Sequence, residues 1–279
     1  MTGRGPRFLP LAIVAASVAA AGPAAAQGAD SGPDVASVTY GPYVRAELGY
    51  AFNDADNGFW ESPGPADPRV FFDLDADNGA MAVLALGFDW QNGWRADLSL
   101  TRVFSADLSG PCSGASDGSP CDISPALDNH ADIESASISS TALMANVFYA
   151  PREAAGSNSR FQPFVVGGIG AARNSVGDWT RENSSGGESG RITRVFEGDT
   201  STDFAWSLGF GAAWQVTRPG QRPVIVEASW RYYDFGSASG GTTPLPIPDN
   251  GNSEPRTPLT FDARSSVVSV GVRIPLQRF

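Results

Sequence analysis

Alternation of large apolar residues with small or polar ones recurs in segment after segment, and it constrains this chain more than any other feature. In residues 202–217, TDFAWSLGFGAAWQVT, the set Phe204, Trp206, Leu208, Phe210, Ala212, Trp214 and Val216 occupies every second position. Asp203, Ala205, Ser207, Gly209, Gly211, Ala213 and Gln215 lie between them. A period of two puts these sets on opposite faces of a β-strand. Its apolar face spans the roughly 9 to 11 residues that a tilted strand needs to cross a bilayer.

One such segment proves little, because a soluble sandwich strand alternates too. Seven more share the pattern. They begin at Tyr43, Ala80 and Trp94, fall within 136–150 and at 161–173, and resume at Val224 and Val268. The connections between them alternate in length. Residues 53–79, 105–135, 174–201 and 236–261 are long, whereas 91–93, 151–160 and 217–222 are short. That rhythm belongs to outer-membrane barrels, with short periplasmic turns, long extracellular loops and an even strand count. The expected fold is therefore all-β: an eight-stranded antiparallel up-and-down transmembrane β-barrel. Trp90, Trp94, Tyr149, Phe161 and Trp214 form one expected aromatic girdle, and Tyr50, Phe52, Phe104, Trp206 and Tyr232 the other.

A soluble barrel of the lipocalin kind would turn its large apolar side chains inward and wet its polar face. The polar face here does not suit water, because Gly49, Ala51, Gly87, Gly168, Gly170, Gly209, Gly211 and Gly271 populate it. The same face carries Arg45, Arg95, Arg231 and Arg273 against Glu47, Asp89, Asp97 and Glu227. Balanced charges in a lumen only wide enough for side chains imply mutual pairing and a plugged barrel.

The N-terminus reads as a secretory signal, residues 1–26: Arg4 and Arg7, an apolar stretch from Phe8 to Ala21, and small residues at Ala24–Ala26 before Gln27. An uncleaved anchor helix is the alternative, disfavoured by the shortness of the apolar run. Residues 27–42 would be a periplasmic lead-in and 43–279 the barrel. The formal charge is −11, and losing the two signal arginines would make it −13. Such an acidic chain argues against a nucleic-acid partner. Cys112 and Cys121, close together in an exported chain, point to a disulfide.

GFDWQNGWRADLSL (87–100), TALMANVFYA (141–150), FQPFVVGGIGAA (161–172), EASWRYYDFG (227–236) and a terminal Phe279 together resemble the outer-membrane β-barrel domain family. That family is related to the OmpA transmembrane domain and often labelled porin-family. The resemblance implies an outer-membrane location among lipids and lipopolysaccharide, and handling by the barrel-assembly machinery through the C-terminal strand and Phe279. Two departures stand out. A peptidoglycan-binding domain after the barrel is not expected, so the wall-tethering role of OmpA is not carried over, and Pro275 and Gln277 interrupt the usual aromatic alternation at the end.

Asp73, Asp75 and Asp77, followed by Asn78–Gly79, place carboxylates at alternate positions before a turn, as calcium loops do. An EF-hand match fails, since Asn78 stands where its Gly belongs and Leu84 where its Glu belongs. A solvated acidic loop is the competing reading, and no other cofactor is expected. A lipid A hydrolase would need a His-centred catalytic set, and the only histidine, His130, falls in a polar loop segment. The expected role is structural or surface-interacting and non-enzymatic, with a narrow channel for small solutes as the alternative.

Overall fold

The computed structural model describes residues 41–121, 132–157, 159–183, 193–217, 222–246 and 254–276. The expected signal peptide and most of the lead-in, together with His130 and Phe279, lie outside the described residues.

Among the described residues, eleven antiparallel strands form one sheet: β1 (Gly41–Glu61), β2 (Arg69–Ala76), β3 (Gly79–Asp89), β4 (Trp94–Ala115), β5 (Asp132–Tyr149), β6 (Phe161–Val176), β7 (Trp179–Asn183), β8 (Thr193–Phe196), β9 (Asp199–Gln215), β10 (Ile225–Ser239) and β11 (Thr257–Pro275). One short helix, α1 (Pro151–Ala154), sits between β5 and β6. The pairing β1–β3–β4–β5–β6–β9–β10–β11 returns to β1, so these strands close into a ring. Closure leaves no edge with unpaired backbone groups in this part of the sheet, the condition a bilayer imposes.

The number of strands exceeds the expected eight because three lie within stretches whose composition suggests loops. β2 pairs with β1 and β4, β7 with β5, and β8 with β7, all at the end of the ring that carries the long connections. Several ring strands also run further than the apolar alternation does, with β1 reaching Glu61 and β4 reaching Ala115. Polar outward residues hide these extensions. On β2, Val70, Phe72, Leu74 and Ala76 are buried, while Arg69, Phe71, Asp73 and Asp75 face outward.

Bulges mark where the two parts of the ring meet. Register slips between Asp56 and Phe59 in β1, between Val103 and Ala106 in β4, and between Asp234 and Ser237 in β10. Asn57 and Gly236 take left-handed φ values of 55° and 74° there, which bends and twists the strands locally. In β1 the slip exchanges the faces: odd-numbered residues point inward through Ala55, and Gly58 and Trp60 do so beyond it.

At the opposite end the connections are short. In the Gln91–Asn92–Gly93 turn, the Trp90 N–H donates to Trp94 O at 3.1 Å, and Gln91 and Gly93 have φ of 58° and 84°. Gly93 also lets α1 pack close, since a Cβ there would collide with Ala154.

Candidate functional site: the outward band, the charged lumen and the short-turn mouth

Because strand side chains alternate, the ring sorts the sequence into an outside and an inside. Outside, Leu48, Leu84, Leu86, Leu98, Leu208, Phe210 and Val270 are each more than half exposed. Aromatics flank this band. Toward the short turns lie Trp90, Trp94, Phe161 and Trp214, with Trp94 against Tyr149 at 4.7 Å between centroids. Toward the long connections lie Tyr50, Phe52, Phe104 and Trp206, the last against Tyr232 at 5.5 Å. Large side chains left uncovered over a whole closed sheet exceed what a water-facing monomer shows.

Inside, the short-turn half of the ring holds Arg45, Glu47, Asp89, Arg95, Asp97, Glu227, Arg231 and Arg273, all at least 94% buried. Arg45 pairs with Glu47 and meets Asp97, its Nε donating to Oδ2 at 2.9 Å. Arg95 pairs with Glu227, and Arg273 donates to Glu227 Oε1 at 2.9 Å and to Asp89 Oδ2 at 2.8 Å. Arg231 lies 3.7 Å from Glu47. Asp97 is held further by Tyr43 Oη at 3.1 Å and Asn146 Nδ2 at 2.7 Å. Three guanidiniums, from Arg45, Arg95 and Arg231, surround the Phe148 ring at 5.2, 4.2 and 5.1 Å from its centroid. Inward glycines make room: a Cβ at Gly209 would strike Arg231, and one at Gly271 would strike Glu47.

Toward the long connections the interior changes character. Trp60, Val70, Phe72, Met81, Leu108, Trp179, Phe196, Tyr233, Phe235, Leu259 and Phe261 belong to one buried apolar cluster. Trp179 stacks on Phe196 at 4.2 Å, and its Nε1 donates to Gly241 O at 2.9 Å. Sequence reasoning missed this cluster. Its signal was available in RVFFDLDA and in the aromatics of the long connections, but the surrounding Asp, Gly and Pro masked it.

Cys112 and Cys121 form a disulfide, Cα–Cα 5.8 Å, that runs from the end of β4 into the connection beyond it. Asp73 and Asp75 lie on the exposed face of β2, and Asp77 follows just after the strand, also exposed. Alternation along a strand spaces such carboxylates about 6 to 7 Å apart at the backbone, whereas a chelating loop wraps them round one point. Among the described residues no three His, Cys, Asp or Glu side chains gather as a metal site. Glu61 is held below the usual carboxylate range by the hydrogen bond from Arg69, with a second from Thr257.

At the short-turn mouth a cavity of about 310 Å³ opens between the Gln91–Gly93 turn, α1 and the ends of β5, β6 and β9. Gln162 Nε2 donates to the carbonyls of Ser157 and Ser159 at 2.9 and 3.0 Å and so shapes the rim. Burial raises the Glu153 carboxyl above its ordinary range, and Asp89 adds to the effect against Arg273 and Arg95.

No family model and no curated protein matches the chain. Solved structures are similar over most of its length. Outer membrane protein OprG from Pseudomonas aeruginosa is 13% identical, with 85% of this chain and 97% of that one covered and a TM-score of 0.41. Outer membrane protein AlkL, solved in lipid bilayers, is 12% identical, with 88% and 95% covered and a TM-score of 0.40. The outer membrane protease OmpT from Escherichia coli is 10% identical, with 83% and 96% covered and a TM-score of 0.42. All three are outer-membrane proteins, and the residues this chain shares with them are too few to carry a role across.

Proposed function

We propose that this chain is an outer-membrane β-barrel protein whose eight ring strands span the bilayer. Its short turns would face the periplasm, and its extended, acidic end would face outside. The observation that carries this reading is the sorting of side chains by the closed ring. The leucines, valines and aromatics are outside in a girdled band, and the eight charges are inside as neighbours of one another. In water that arrangement would leave apolar surface uncovered and charges desolvated together. In a bilayer the apolar band is solvated by acyl chains, and the closed ring presents no open strand edge to them.

The role within the envelope is structural or surface-interacting. Side chains occupy the ring interior, with the ionic network in one half and the apolar cluster in the other, which favours a plugged barrel over a channel. Lipid and lipopolysaccharide are the proposed surroundings. The barrel-assembly machinery, engaging the C-terminal strand and Phe279, is the proposed route of insertion.

Cell fractionation with heat-modifiable gel migration tests the reading. The expected result is an outer-membrane fraction whose band shifts only after boiling. A soluble band indifferent to heat would overturn both fold orientation and compartment. Swelling of liposomes in graded sugars would instead favour the channel.

A further inference from the structure

We infer that the cavity at the short-turn mouth binds a small organic anion with a flat apolar body, of the size of an aromatic monocarboxylate. Its volume, about 310 Å³, lies at the lower end of small-ligand sites. Its floor and wall are apolar, from Phe148, Phe164, Ala213 and Ile225. Arg95, Arg160 and Arg273 line it beside Glu153, and since Arg95 and Arg273 are already paired with Glu227 and Asp89 behind the wall, Arg160 is the lining cation left without a carboxylate among the described residues.

One cationic side chain of the lining is buried without full satisfaction. Arg95 is 6% exposed, and its Nη2 makes no hydrogen bond, although Nη1 meets Glu227. A buried donor left in this state is costly, and a ligand acceptor that reaches it recovers part of that cost. The frame is already built. Gly93 seats α1, and the Gln162 amide is pinned through its Nε2, so little ordering remains to oppose binding. Arg95, stacked over Phe148 and Phe164 at 4.2 and 4.7 Å, presents its guanidinium edge beside an aromatic surface. A carboxylate suits that edge, and a planar body suits the rings. Arg160, exposed at the rim, has no ion-pair partner among the described residues and is placed to meet the same anion as it enters.

Benzoate is the probe, with benzamide as its neutral isostere. Both are titrated into the folded full chain in detergent micelles while backbone amide NMR shifts are followed. Benzoate is expected to shift Gly93, Ala150, Ser157 and Gln162 with a Kd on the order of millimolar, and benzamide to bind about tenfold more weakly. Arg160→Gln, a surface change whose folding is checked by heat-modifiable migration, should weaken benzoate about threefold or more. Glu153→Gln should strengthen it about twofold by removing the acid. Equal binding of benzoate and benzamide would overturn the inference. So would shifts confined to other residues, no shift by about 20 mM, or two variants that move affinity the same way. The readout uses the isolated folded chain, so it fails or succeeds independently of where the cell places the protein.

Discussion

The two halves of the ring interior are built on opposite principles. At the short-turn end, four arginines and four carboxylates fill the lumen and neutralise one another beside a small apolar cluster of Phe148, Phe164, Val166, Ala213 and Ile225. At the far end, Trp60, Trp179, Phe196 and Phe261 fill the space as in an ordinary soluble core. The difference follows from what lies outside each half. In the proposed bilayer setting, the first half would meet lipid outside, so its apolar residues are spent on that face and the lumen receives what remains. Where β2, β7 and β8 carry the sheet past the girdle, the outer face would be wet, and the interior reverts to the water-soluble rule. The bulges at Asn57 and Gly236 stand at the changeover.

The sharpest way to break this comparison is to remove one charge from the inner half. Asp97→Leu leaves Arg45 beside Glu47 but strips it of its second partner, leaves Asn146 Nδ2 with Ser99 Oγ alone, and leaves Tyr43 Oη only a long bond of 3.4 Å to Ala96 O. A loss of about 3 to 5 kcal/mol is expected, because the remaining charge is buried and only half compensated. Urea unfolding in micelles would read it as a lower midpoint. A neutral result would mean that water reaches the network.

Trp179→Ala should cost about 3 kcal/mol, from the lost stack on Phe196 and the hydrogen bond to Gly241. Here the loss is expected to stay local. Hydrogen exchange should quicken in β7 and β8 while the girdled ring keeps its protection. Ring-wide acceleration would show instead that the two halves unfold as one.

Reducing the Cys112–Cys121 disulfide releases a short loop in the outer half, worth about 2 to 3 kcal/mol in the chain-entropy account. Exchange at β2 and the end of β4 should rise, with heat-modifiable migration unchanged.

The smallest effect belongs to the surface pair Arg69–Glu61. Arg69→Ala should cost less than about 1 kcal/mol at neutral pH, since the arginine side chain is 43% exposed. The carboxyl is depressed in the folded state, so its contribution is present above the unfolded pKa and is lost as pH falls through the lower folded value. Parent and variant should therefore converge in stability in strong acid.

The ring strands were legible because each carries its apolar residues on one face for the full span of the girdled band. Leu84, Leu86 and Phe88 cannot be read as anything but a strand with one greasy side. β2 was harder. Asp73, Asp75 and Asp77 look like a ligand series, and the alternation that puts Val70, Phe72 and Leu74 inside is the same alternation seen from the other face. Nothing local reveals the slip at Asn57 either, since it depends on how β1 meets both β2 and β11.

By itself, the sequence determined the strands of the ring, the sign of each face and the balance of four positive against four negative charges, because period-two patterning is a local property that pairing can only accept. Which arginine meets which carboxylate was decided by tertiary structure alone, as were the closure of β11 onto β1, the apolar second storey and the cavity beside α1. Those features join residues far apart in the chain, such as Arg95 and Glu227, whose meeting depends on strand register and tilt.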